Sequence, residues 1–232
     1  MITVRKSSER GYTDRGWMNS YRTFSFEEYQ NANYMGYRSL RVINEDRVQP
    51  GHGFPSHQHK NMEILTYVIN GELLHEDNKG NSCIIHADEV QRMTAGKGII
   101  HSEYNPSQSQ ELHLLQIWII PDEKDLRPDY EQKEFTYNSK SDQLCLIASN
   151  DGRKNSIKIH QDVNVYASTV ITGKELLFNT DSNRYIWIQV ISGSLFINSI
   201  PLKEGDGASI VNQDKIELYF QEKSEILLFD LA

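Results

Sequence analysis

The sequence predicts an all-β chain built as two tandem jelly-roll β-barrels with little helix. Three observations predict it: short apolar runs spaced by turn residues, a repeated strand–turn–strand unit, and the lack of any long, capped helical period. The first element to justify is SFEEYQNANY (25–34), which offers at most a helical turn or two, with Ser25 as its expected cap. Strands are then expected at EILTYVI (63–69), SCII (82–85), LHLLQIWII (112–120), RYIWIQVI (184–191), SLFI (194–197) and EILLFDL (225–231). Gly, Asn, Asp and Ser separate these runs, as hairpin turns require.

The repeat sets the domain count. YVINGELL (67–74) reads like QVISGSLF (189–196), each with an Ile, a polar residue, a turn glycine and a second apolar strand, and HADEV (86–90) parallels KEGDG (203–207) after a shorter hairpin. Carried along this offset, His57, His59 and Glu63 correspond to Asn179, Asp181 and Tyr185, while His101 and Glu103 correspond to Leu218 and Phe220. The reading is one metal-bearing barrel over 1–125 and one structural barrel over 126–232, joined by the polar, proline-containing stretch 121–134.

Composition bounds the function classes. With 38% hydrophobic and 24% charged residues the chain is an ordinary globular protein, and no run of apolar residues is long enough for a membrane helix. The start, MITVRKSSERGYTDRG, has no apolar core of a secretory signal, so cytoplasmic residence is expected. Its two cysteines, Cys83 and Cys145, make no disulfide framework and no zinc-finger spacing. A net charge of −8 and sparse basic pairs such as Arg38 with Arg41 argue against nucleic-acid binding. A monomer is expected.

Chemistry concentrates in two segments. His57 and His59 in GHGFPSHQHKNME, and His101 and Glu103 in KGIIHSEYN, are each spaced i, i+2, so on a strand each pair points to one face. If the two strands are neighbours, three imidazoles and a carboxylate converge. Such a set suits a first-row divalent metal, because Ca and Mg prefer all-oxygen shells, and four protein ligands leave two octahedral positions open. Glu63 has the same strand parity as the histidine pair and is a rival carboxylate.

Other groups have simpler readings. The loop HEDNKGN (75–81), with His75, Glu76 and Asp77, is explained by a β-hairpin. His86, His113 and His160 show no partner spacing, Asn105 is expected to fix a turn, and His52, Trp17, Phe24, Phe26 and Tyr34 either pack in the core or line a cavity mouth.

The intervals Gly51, His57, His59, Glu63, Gly71 and Gly98, His101, Asn105 match the two motifs of the cupin superfamily. TFSFEEY, the run RVINEDRVQPGHGFPSHQHKNMEILTYVINGELLHEDNKGN, MTAGKGIIHSEYNPS and LHLLQIWIIP resemble the pirin family of bicupins, and the similarity runs to the terminal LLFDL. Gly96 stands where the common cupin pattern has proline.

Within that family the chain most resembles bacterial pirin-like quercetin 2,3-dioxygenases. The resemblance implies His57, His59, His101 and Glu103 as ligands of one divalent metal, expected to be iron(II), with Zn, Mn, Ni, Co or Cu as alternatives. It also implies a dioxygenase that opens the central ring of a flavonol, or a related enolisable aromatic, with dioxygen and releases carbon monoxide. Glu103, or an adjacent acid, is then the general base. Nuclear pirins, which the chain also resembles, imply the alternative: a metal-dependent regulatory protein that binds a partner protein.

Overall fold

The computed structural model describes residues 1–232. In chain order its strands begin with β1 (Ile2–Arg5), β2 (Gly11–Asp14), β3 (Met18–Arg22), β4 (Leu40–Val48), β5 (Gly53–His59), β6 (Glu63–Asn70), β7 (Glu72–Asp77) and β8 (Ser82–His86). There follow β9 (Glu89–Thr94), β10 (Ile99–Tyr104), β11 (Leu112–Ile119), β12 (Asp129–Glu134), the single short helix α1 (Tyr137–Lys140), β13 (Cys145–Ser149), β14 (Ile157–Lys158) and β15 (Val163–Val170). The series closes with β16 (Glu175–Asn179), β17 (Tyr185–Ser192), β18 (Ser194–Ile197), β19 (Ile200–Lys203), β20 (Gly207–Ile210), β21 (Lys215–Phe220) and β22 (Ser224–Leu231). Every run expected as a strand is one. No helix is long and apolar enough to cross a membrane.

Two compact units share this plan. The first comprises Gly11–Glu134 with Ile159–Gln161, and has a seven-stranded sheet in the order β12-β9-β6-β11-β4-β3-β2 and a four-stranded sheet β5-β10-β7-β8. Part of its core lies between the sheets, where Met18, Val48, Val68, Leu112 and Leu114 of the large sheet meet Leu73 and Ile85 of the small one. The second comprises Met1–Arg10, Phe135–Lys158 and Asp162–Ala232, with the sheets β1-β20-β17-β22-β15-β13-β14 and β16-β21-β18-β19.

The units correct the expected boundary at 125/126 in two ways. Residues 129–134 form no linker: they are β12, paired antiparallel with β9 in the first unit. The first ten residues belong to the second unit, where Ile2–Arg5 pair with Gly207–Ile210. Both corrections have one cause. β9 and β20 would otherwise be sheet edges with unpaired backbone groups, and a strand from a distant part of the sequence satisfies them.

The repeat appears as two equivalent hairpins, β6–β7 and β17–β18, each turning on a glycine at φ near +80° (Gly71 82°, Gly193 78°), where a side chain would be strained. The correspondence read upstream of these hairpins needs revision. Asn179 ends β16 opposite Lys215 and Asp181 lies beyond the strand; the register instead sets Leu176 opposite Leu218 and Phe178 opposite Ile216. Phe178, Ile216, Leu218 and Phe220 are all core. The chain between β16 and β17 is longer than that between β5 and β6, which breaks a constant offset.

Ser25 caps no helix. Its hydroxyl accepts from Asn31 N and donates to Asn31 O, and Asn31 caps the short 3-10 turn Ala32–Tyr34 by accepting from Asn33 N. The short α1, capped by Thr136, carries too little apolar period to be read from sequence.

If the second unit is a filled, structural barrel, Phe220→Ala should lower unfolding free energy by about 3–5 kcal/mol through the cavity it leaves. Metal content of the folded variant should be unchanged; denaturant titration and metal analysis together check this.

Candidate metal centre

Strands β5 and β10 are neighbours, and His101 sits directly opposite His57. Between His101 and Glu103 the register slips: Glu103 faces Phe54, so β5 carries an extra residue around Pro55 and Ser56. A bulge of this kind re-aims side chains and tolerates proline, which has no N–H to offer the ladder. The approach is close enough that a Cβ on Gly53 would collide with the backbone carbonyl of Glu103.

The three histidine rings lie with centroids 4.4–4.9 Å apart. Ligand atoms of His57, His59 and His101 fall within 4.8 Å of one another, as do those of His75, His101 and Glu103. The expected four residues thus meet through His101, with His75 added. His101 and Glu103 are 1% and 2% exposed.

The hydrogen-bond network says which atoms are available. A carbonyl can only accept, so the 2.8 Å contact of His57 Nδ1 with Pro55 O puts the proton on Nδ1 and leaves the Nε2 lone pair free. Asp77 Oδ2 lies 3.4 Å from His75 Nε2, so that nitrogen donates and His75 Nδ1 accepts from His101 Nδ1 at 3.3 Å. His101 Nε2, His59 Nε2 and Glu103 Oε1 are buried with no partner. Glu103 Oε2 accepts from Gln116 Nε2 at 2.8 Å, and Gln116 Oε1 accepts from Trp118 Nε1. Buried polar atoms left unpaired cost stability unless a ligand satisfies them, and these nitrogen and oxygen donors are what a first-row divalent metal takes.

Burial, with His101 and His57 close by, pushes the His59 imidazole down to about 4. Burial, with His57 and His75 nearby, pushes His101 down to about 3. Both stay neutral, as ligation requires. Burial opposes charge on Asp77, but the Asn81 side chain and the backbone N–H groups of Lys79 and Asn81 outweigh it and hold that carboxyl below its usual range. His101, His75 and Asp77 therefore form a chain that orients the His101 imidazole.

His75 was legible only as part of a hairpin. Yet Leu73, His75 and Asp77 share strand parity, and Leu73 is core, so the other two must face inward as well. Glu63, the rival carboxylate, is fully buried but stands away from both ligand groups; its Oε2 accepts from the backbone N–H of His160 at 3.3 Å and contacts Nδ1 of the same residue at 3.4 Å. His160 is thus a histidine satisfied by a hydrogen-bond partner. His113 pairs with Glu45 at 3.0 Å, and Asn105 fixes its turn through Val48 O, Gln110 O and Ser107 N.

A cavity of about 430 Å³ opens onto His57, His59 and Glu103, walled by Phe26, Phe54 and Trp118 and by Ser20, Asn44 and Asp46. Of the N-terminal aromatics only Phe26 lines it, edge-on to Trp118 at 5.2 Å. Trp17 packs on Phe54 and His52, and Phe24 is core. Burial pushes the Asp46 carboxyl up to about 7, against a hydrogen bond from Ser20 and with the Glu103 charge adding to the rise.

His101→Ala should lose most bound metal and remain folded, and Glu103→Gln should lose more metal than Glu63→Gln; metal analysis after dialysis checks the ranking, and the reverse order would make Glu63 the ligand. Folded His59 and His101 bind protons more weakly than the unfolded chain, whose imidazoles titrate near 6.5, so the unfolded state holds more protons below that pH. Metal-free protein should therefore lose stability as pH falls from 6.5 toward 3, read as a falling denaturant midpoint.

The pirin family profile matches residues 3–119, and that of the quercetinase C-terminal cupin domain matches residues 146–231. The chain is 43% identical over 231 residues to the quercetin 2,3-dioxygenase of Escherichia coli strain K12, covering all of this chain and 99% of that protein, and 33% identical to a pirin-like protein of Caulobacter vibrioides, covering 100% of both. The crystal structure of YhhW from Escherichia coli superposes with a TM-score of 0.96 at 43% identity, over 100% of this chain and 98% of that one. Bacterial pirin YhhW from the same organism in complex with nickel(II) superposes at 0.95, again at 43% identity, over 100% and 99%. The chain belongs to the pirin family, and its two units are that family's two cupin domains.

Proposed function

We propose that the chain is a metal-dependent dioxygenase that opens quercetin-like flavonols with dioxygen and releases carbon monoxide. The observation that carries the reading is the set of unpartnered buried atoms, His59 Nε2, His101 Nε2 and Glu103 Oε1, of which His59 and Glu103 line a cavity large enough for a tricyclic phenol. Similarity to a quercetin 2,3-dioxygenase over the full length supports the substrate class.

In this reading His57, His59, His101 and Glu103 hold one divalent ion. Iron(II) is the proposed native metal, and the donor set equally admits Ni, the ion bound by the similar YhhW, as well as Zn, Mn, Co or Cu. When bound, the ion supplies Lewis acidity that lowers the pKa of a chelating 3-hydroxyl. Three neutral imidazoles and one carboxylate leave such a site a net positive charge, which favours an anionic ligand.

The protein's own groups do the rest. Glu103, or an adjacent acid where Glu103 stays bound to the ion, is the proposed acceptor of the 3-hydroxyl proton, while Gln116 holds Glu103 Oε2. Phe26, Phe54 and Trp118 supply flat apolar walls that exclude water and fit aromatic rings. In the overall reaction one ring carbon leaves as carbon monoxide and both atoms of dioxygen stay in the ring-opened product, so no further reductant is needed. The proposed working unit is a cytoplasmic monomer.

Iron-loaded protein should consume oxygen with quercetin and release carbon monoxide, but should do neither with the 3-deoxy analogue or as the His57→Ala variant. An oxygen electrode with a carbon monoxide assay reads both. Binding of quercetin without oxygen uptake would move the regulatory, partner-binding reading ahead.

A further inference from the structure

The cavity wall carries acceptors that the metal chemistry does not use. Asn44 and Asp46 are 5% and 4% exposed, line the cavity, and each keeps its Oδ1 without a hydrogen-bond partner. Neither belongs to a ligand group. On β4 they are i and i+2 and so share a face, while Glu45 between them points away to His113.

Their position relative to the metal centre follows from the sheet. Gln116, which holds Glu103, is directly opposite Asn44 on the adjacent strand, and Asp46 is two residues further along, opposite Ser20. One strand over and two residues along is a displacement of about 8 Å from Gln116. Gln116, Glu103, Asn44 and Asp46 all line the one cavity, so a ligand held beside Glu103 has this wall within the cavity's span.

A carboxylate oxygen withheld from water without a donor is costly, and a ligand hydroxyl would relieve that cost at this one place. We propose that Asp46, with Asn44 beside it, accepts hydrogen bonds from phenolic hydroxyls remote from the chelating pair, and thereby selects polyhydroxylated flavonols over bare ones. This rests on the flavonol reading above. Ser20 and Arg22 then serve to hold the Asp46 side chain toward the cavity.

The test is equilibrium binding under argon at about pH 8.5, where the Asp46 carboxyl is ionised, to nickel-loaded protein, followed by the flavonol absorption band, so that turnover plays no part. Quercetin is compared with 3-hydroxyflavone, which keeps the chelating pair and lacks every other hydroxyl. Wild type should prefer quercetin. Asp46→Leu should weaken quercetin by about tenfold to a hundredfold, the range for a hydrogen bond to a charged group, and change 3-hydroxyflavone by less than about twofold. Asp46→Asn, the same shape without the charge, should fall between wild type and the leucine variant for quercetin alone, and it stands in if the leucine variant does not fold. Equal losses for both flavonols, an unchanged quercetin affinity, or a wild type without preference would each overturn the assignment while leaving the chelation reading intact. A wild type that binds neither flavonol, with nickel content confirmed, would overturn both.

Discussion

The rest of the first unit depends on one constraint: several polar ligand atoms are taken out of water and given no protein partner. A folded chain tolerates that only where the surrounding structure over-determines the side chains and something else completes the shell. The barrel meets both conditions. The β5–β10 pairing sets two histidines face to face, strand parity on β10 gives Glu103 the same face as His101, and the line from His101 through His75 to Asp77 keeps the imidazole in the orientation that leaves Nε2 bare. Depressed imidazole basicity is the electrostatic trace of the same arrangement, since cationic rings at these distances would repel one another in a poorly solvated place.

The second unit shows what the same frame looks like when no such cost is imposed. Leu176, Phe178, Ile216 and Leu218 face one another across β16 and β21, and the interior is continuous hydrocarbon. Apolar burial supplies that packing, and buried polar side chains of the unit such as Gln189 and Ser224 are hydrogen-bonded to backbone carbonyls. One architecture thus supports two energetic strategies, set by a handful of residues per strand.

Much of this was legible because strand side chains repeat every two residues. His57 with His59, and His101 with Glu103, announced a shared face, and the turn glycines Gly71 and Gly193 announced the repeated hairpin. Illegible features depend on pairing across long stretches of sequence. His75 acquires meaning only beside Glu103 on β10, and His160 only beside Glu63. Asn44 and Asp46 could have been suspected, because they share parity with the core residues Val42 and Val48, but parity does not say that a cavity lies beneath them. The offset that located the repeat failed for Asn179 and Asp181 because one loop is longer, and loop length is free to vary where strand register is not.

The pairing of Ile2 with Ile210 gives the second unit a time-ordering as well as an edge. A ribosome adding roughly 5–20 residues per second releases the partner strand on the order of 10–40 s after the first one emerges. Over that interval β1 has no place in a sheet, and closing so long a loop is among the slowest steps a small β-domain faces. The first unit, nearly all of it drawn from Gly11–Glu134, can condense far earlier. Synthesis therefore favours a vectorial order in which the ligand-bearing barrel is available to metal before the other barrel has received its last strand.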